Sequence, residues 1–122
     1  VSNINMSAFA EKMGVSKKYR QGDVIFNRGD EGDCMFIVQS GSIELKVDDK
    51  LVDSCKQNDA IGYMSLVDGS ARSSTATAST DTEVSILNER HFRYMVDEVP
   101  NFAMYLMETM AQRIRGMAKA LD

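Results

Sequence analysis

The apolar residues of this 122-residue chain change their spacing twice. Met6, Phe9, Ala10 and Met13 recur at i, i+3, i+4 and i+7, one face of a short helix, and Gly14 ends the run. From Tyr19 to Leu87 the spacing becomes two residues or a brief continuous run. Glycines at 14, 22, 29, 32, 41, 62 and 69 punctuate these segments, and no long helical pattern separates them. A chain patterned this way must bury many short strands against one another. That predicts an antiparallel sandwich or jelly roll and argues against a parallel sheet with crossover helices. Predicted strands are Val24 to Phe26, Met35 to Val38, the alternating Ile43, Leu45 and Val47, the pair Leu51 and Val52, Ser73 to Ser79, and Glu83 to Leu87. Asp48 and Asp49 read as a tight turn.

After Leu87 the helical period returns. Phe92, Met95 and Val96 share one face of a short helix, and Pro100 suits the first turn of a second, where its missing N–H has no partner to lose. Along that last helix Met107, Met110, Ile114, Met117 and Leu121 step by three and four, a heptad seam. The seam has two readings: a homodimer interface, or packing of the helix on its own sheet. The expected architecture is one domain, mainly β with flanking helices: an N-terminal helix in residues 1–14, an antiparallel jelly roll (double-stranded β-helix) in 15–88, and two C-terminal helices in 89–122.

Composition narrows the function. Fourteen Lys and Arg against 18 Asp and Glu give a net charge of -4, and neither a basic patch nor a helix-turn-helix pattern is present, so no DNA binding is expected within the chain. With one histidine, His91, and two cysteines, Cys34 and Cys55, a thiol or imidazole metal site falls short of four side-chain ligands. His91 beside Arg90 and Arg93 at a helix start reads as an exposed capping residue. No G-x-S-x-G nucleophile elbow occurs, and an enzyme is not expected. The longest apolar runs are far shorter than the roughly 20 residues of a membrane span, so the expected location is cytoplasmic. Arg28-Gly29-Asp30, in the acidic stretch with Glu31 and Asp33, reads as a solvated turn, not an adhesion or calcium motif.

The stretch Ile61-Gly62-Tyr63-Met64-Ser65-Leu66-Val67-Asp68-Gly69-Ser70-Ala71-Arg72-Ser73-Ser74-Thr75 carries the chemistry. Its glycine permits close backbone approach, the next residues can form one helical turn, and an arginine follows ten positions later among small hydroxylated residues. Those are parts of an anion site, for which the bidentate guanidinium fork suits two phosphate oxygens. An ion pair between Arg72 and a nearby carboxylate such as Asp68 has equal standing on the residues alone.

This stretch and the glycine-punctuated run from Gly22 to Ile43 (GDVIFNRGDEGDCMFIVQSGSI) together resemble the cyclic-nucleotide-binding domains of the catabolite activator protein, of cyclic-nucleotide-dependent kinase regulatory subunits and of cyclic-nucleotide-gated channels. The resemblance covers about Tyr19 to Arg115. It implies a jelly roll and a phosphate-binding cassette in which Gly62, Tyr63, Met64, Ser65, Arg72, Ser73 and Ser74 bind ligand, with Arg72 on the cyclic phosphate of cAMP or cGMP and no separate cofactor. It further implies a regulatory domain in signal transduction. One position departs: the family usually has a glutamate after the cassette glycine, taking the ribose 2′-hydroxyl, and here Tyr63 stands there. Either the phenol replaces that contact in part, or the ring fills the ribose pocket and leaves a ligand-free dimerisation or docking module. On this register Tyr63→Glu is expected to raise affinity and create a preference for the 2′-hydroxyl. Ala71 replaces the usual proline, and Ser73 does not separate adenine from guanine.

Overall fold

The computed structural model describes residues 5–121, with side chains through residue 116. The elements are α1 (Met6–Met13), β1 (Val15–Tyr19), β2 (Val24–Phe26), β3 (Cys34–Ser40), β4 (Ser42–Val47), β5 (Lys50–Lys56), β6 (Ala60–Ile61), α2 (Met64–Asp68), β7 (Thr75–Ala78), β8 (Thr82–Asn88), α3 (Glu89–Glu98) and α4 (Phe102–Leu121). The strands make two four-stranded sheets, ordered β1-β8-β3-β6 and β2-β7-β4-β5, with antiparallel neighbours. This is the jelly roll with flanking helices.

β3 divides the interior. Met35 and Ile37 face the helices, packing with Met6, Leu87, Phe92, Met95 and Phe102. Phe36 and Val38 face the space between the sheets, with Phe26, Ile43, Leu45 and Val84. Burial on both faces explains why this strand reads as a continuous apolar run, and each such side chain contributes about 1.5 to 3 kcal/mol. β4 faces the barrel with Ile43 and Leu45 only, so it alternates. Val47 and Lys50 pair across the β4–β5 turn, whose two residues Asp48 and Asp49 both have positive φ (51° and 63°), as a type I′ hairpin requires. Arg28-Gly29 is a turn, with Arg28 reaching Asp48 at 3.1 Å across solvent.

Several expectations need correction. β1 and β6 escape the pattern: β1 is an exposed edge strand of sequence VSKKY, whose lysines discourage edge-to-edge pairing, and β6 has two residues, too few to alternate. The strand expected from Ser73 begins at Thr75. On α3, Phe92 and Met95 are buried but Val96 is 41% exposed. Phe9 likewise turns outward from α1. Pro100 lies outside α4, in a turn closed by the Phe102 N–H on the Val99 carbonyl, where Asn101 takes φ 69°. A fixed φ at the first central position and a left-handed residue at the second are the requirements of a type II turn. His91 is half-buried and caps α3, accepting the Asn88 N–H on Nδ1 while its own N–H donates to Asn88 Oδ1.

The seam divides as well. The inward face of α4 is Phe102, Leu106, Met110 and Arg113, whereas Met107 and Ile114 are 50% and 65% exposed. The Met117 and Leu121 side chains lie outside the described residues. No described helix is long and apolar enough to cross a membrane.

Candidate functional site

Two loops build the site. In the first, residues 27–32 turn sharply, with the Asp30 N–H on the Asn27 carbonyl and the Asn27 N–H on Asp30 Oδ2. In the second, β6 ends at Ile61, Gly62 takes φ 75°, Tyr63 is the N-cap of α2, and Gly69 at φ 73° ends that helix with its N–H on the Ser65 carbonyl. Ser70 then closes back on Asp68 Oδ1 through its N–H and hydroxyl. The loops are stitched at Arg72, whose N–H donates to the Asp30 carbonyl and whose carbonyl accepts the Gly29 N–H, both at 2.8 Å.

Arg72 is 5% exposed. Nη1 donates to the Gly62 carbonyl and Nη2 to the Cys34 carbonyl at 2.7 Å, while the guanidinium carbon stands 4.5 Å from the centre of the Phe26 ring and 5.7 Å from that of Phe36. Nε is buried with no hydrogen-bond partner. Asp68 is no counter-ion, since its carboxylate is exposed and held by Ser70, whose bonds lower its pKa. Among the described residues no carboxylate lies within ion-pair distance of Arg72. Nη2 also donates to Cys34 Sγ at 3.7 Å. A buried cation held by carbonyls, a thiol and ring faces is costly, and an anion accepting from Nε would relieve it.

The surroundings leave room for little else. A Cβ on Gly32 would stand 2.9 Å from the Arg72 guanidinium carbon and collide with the Ser65 side chain, and one on Gly62 would stand 2.7 Å from Nη1. Gly32→Ala is therefore expected to weaken any anion binding at least about tenfold by displacing Arg72 and Ser65, a loss that titration calorimetry measures directly. Burial pushes the neighbouring Cys34 thiol up in pKa, against the pull of Arg72, which leaves it a poor nucleophile. No cluster of His, Cys, Asp or Glu among the described residues suits a metal ion.

Of the residues singled out in the sequence, Gly62, Ser65 and Arg72 come together. Met64 and Ser73 are exposed and Ser74 half-buried. Tyr63 is 0% exposed and packs on the helix side of the sheet, among the residues around Met35 and Phe102. Its hydroxyl accepts from Arg113 Nη1 at 3.3 Å, and Arg113 Nε also meets Asp53 Oδ2 at 2.6 Å. Burial raises the Tyr63 pKa, with Arg113 opposing, so the phenol stays neutral near pH 7. For Arg113, burial works against the charge and is outweighed by Tyr63 and Asp53, leaving its pKa above the usual arginine value. Sequence reasoning missed Gly32, the Cys34 carbonyl, Phe26, Phe36 and Arg113. Arg113 did carry a signal: an arginine at the position that extends the apolar face Phe102, Leu106, Met110.

Residues 16–99 match the cyclic nucleotide-binding domain. The chain belongs to that family. This cyclic nucleotide-binding domain is 33% identical over 119 residues to a cAMP-dependent protein kinase regulatory subunit of Debaryomyces hansenii, an alignment covering 87% of this chain and 26% of that protein. It is 35% identical over 88 residues to a cGMP-dependent protein kinase of Eimeria tenella, covering 70% of this chain and 9% of that one. Among solved structures, the Thermus thermophilus catabolite activator protein superposes with a TM-score of 0.80 at 28% identity, covering 94% of this chain and 56% of the other. The domain thus spans about a quarter of the kinase regulatory subunit and under a tenth of the cGMP-dependent kinase.

Proposed function

We propose that this domain is a cytoplasmic regulatory module that binds cAMP or cGMP through its cyclic phosphate at Arg72 and passes the occupied state to α3 and α4. The observation that carries the reading is the buried Arg72 guanidinium, which has carbonyl and ring partners, an unpartnered Nε and no carboxylate in ion-pair range among the described residues. Gly62 and Ser65 line the same cradle. Met64, Ser73 and Ser74 contribute main-chain groups at its rim in this reading. The α2 helix lies between the cradle and the C-terminal helices, since Leu66 packs against the core shared with Phe92 and Phe102. A ligand shifts such a system only by binding one arrangement of α3 and α4 better than the other. Titration calorimetry with cAMP, cGMP and a cyclic dinucleotide tests the reading. Saturable heat with either mononucleotide is expected, and flat traces with all three at high micromolar protein would reject it.

Tyr63 favours a second reading, a ligand-free dimerisation or docking module, because its side chain leaves position 63 without a group facing the barrel. The surface such a module offers is the exposed apolar stripe of α4 made by Met104, Met107 and Ile114. Of the seam expected from sequence, Met110 packs inward, so it contributes little to this stripe. The double substitution Met107→Gln, Ile114→Gln is expected to convert a homodimer to monomer with little change in fold stability. Sedimentation decides it: a wild-type protein that stays monomeric at high concentration, with and without cyclic nucleotide, assigns the stripe no self-association.

A further inference from the structure

We infer that Arg113 is a positioning residue that couples the docking of α4 to the setting of Arg72, acting through the single peptide group between Gly62 and Tyr63. In its effect on ligand this rests on the reading of Arg72 as the phosphate site. Arg113 crosses from α4 to the barrel wall and meets three successive elements. Nε donates to Asp53 Oδ2 on β5 at 2.6 Å, Nη2 to the Ala60 carbonyl on β6 at 3.3 Å and to Cys55 Sγ at 3.5 Å, and Nη1 to the Tyr63 hydroxyl at the start of α2 at 3.3 Å. The Arg113 side chain is 19% exposed, so these charge-assisted bonds form largely out of water.

The second guanidinium grips the neighbouring residue. Arg72 Nη1 holds the Gly62 carbonyl, and that carbonyl lies in the same rigid plane as the Tyr63 N–H. Position 62 accepts only a glycine against Arg72, since a Cβ there would stand 2.7 Å from Nη1, and this lets the Gly62 carbonyl come close enough to accept from the guanidinium. One peptide plane is therefore held from the barrel side by Arg72 and from the helix side by Arg113, by way of the fully buried Tyr63. Close packing of this kind transmits a displacement from one group to the next. With α4 docked, the Gly62 carbonyl is fixed where it aims the Arg72 fork, and an incoming phosphate meets a preorganised donor set. Reciprocity then requires that ligand at Arg72 strengthen the docking of α4 by the same factor.

The test uses the whole chain and four variants: Tyr63→Phe, which removes one hydroxyl and keeps the ring in the core, Arg113→Gln, Arg113→Lys and Arg72→Gln. Titration of Tyr63→Phe and Arg113→Gln with cAMP and with cGMP is expected to show affinity weakened at least about fivefold, although neither residue reaches the phosphate cradle. Hydrogen exchange of the α4 amides is expected to slow on ligand addition in the wild type and to respond far less in both variants. Arg113→Lys keeps the charge beside Asp53 but cannot bridge Asp53, Ala60 and Tyr63 at once, so it is expected to restore fold stability without restoring the ligand-dependent protection. A merely structural role for Arg113 predicts that both recover together, and that result overturns the inference. So does unchanged or tighter binding by Tyr63→Phe. A ligand-free arm keeps the two readings apart. Denaturant unfolding of wild type, Tyr63→Phe, Arg72→Gln and a fifth variant combining Tyr63→Phe with Arg72→Gln is expected to depart from additivity by more than about twofold in the unfolding constant. Additivity rejects the coupling even where cyclic nucleotide binds, whereas non-additivity in a protein that binds neither nucleotide supports the coupling and rejects the phosphate reading alone.

Discussion

Arg72→Ala is expected to eliminate measurable cyclic nucleotide binding. The substitution removes the one cation in the cradle among the described residues, and two hydrogen bonds from a guanidinium to a phosphate contribute about 1.5 to 3 kcal/mol each, so affinity falls by roughly two to four orders of magnitude. Read from sequence alone, the same change leaves the ligand-free protein almost unaffected. The structure alters that expectation, because Arg72 also donates to the Gly62 and Cys34 carbonyls and covers the Phe26 and Phe36 rings. Each carbonyl left dry costs about 1 to 3 kcal/mol, partly offset by relief of a desolvated cation. Calorimetric titration measures the first effect and thermal unfolding without ligand the second. Undiminished affinity would remove Arg72 from the site.

Tyr63→Glu is expected to destabilise the domain strongly and to bring no gain in affinity. The resemblance to the family suggests the reverse, a new carboxylate for the ribose 2′-hydroxyl, but that outcome needs the side chain at 63 to face the barrel. Tyr63 instead faces the helices and is buried completely. Replacing its ring there forfeits packing of the kind that costs about 3 to 5 kcal/mol for large aromatics, and it sets a second carboxylate on Arg113, which already pairs with Asp53. A net loss near 3 kcal/mol lowers the melting temperature by roughly 10 °C. Thermal unfolding checks the loss, and titration with ribose and 2′-deoxyribose cyclic nucleotides checks the rest. Tighter binding with a preference for the ribose form would show that the side chain at 63 reaches the ligand.

Local chemistry made much of the fold legible. The Asp48-Asp49 turn, the helix ended at Gly14 and the alternation of Ile43 and Leu45 each follow from a neighbourhood of a few residues. β1 was hidden because an exposed edge strand has no buried face to alternate, and Pro100 misled because a turn and a helix start both favour a fixed φ. At the site, the spacing of Gly62, Ser65 and Arg72 was readable within one loop. Gly32 and Cys34 join it through strand pairing and loop stitching across 38 residues or more from Arg72, and no local pattern reports such contacts. The direction of Tyr63 depended on a side chain 50 residues away, Arg113, which supplies the polar partner a buried phenol needs.

β3 is apolar on both faces, which has a consequence for how the chain finds its own alignment. In most half-buried strands a slip by one residue throws polar groups inward, and that penalty enforces the pairing. Here a slip would merely exchange Met35 and Ile37 for Phe36 and Val38, one greasy set for another. Alignment must come from features that cannot be exchanged: the irregularity between Val38 and Ser40 against β8, the Gln39 amide on the Ser7 carbonyl and Ser85 hydroxyl, and the Cys34 carbonyl under Arg72. Arg72 is thus also a peg for the central strand, so replacing it is expected to loosen the alignment of the barrel itself, whatever it does to a ligand.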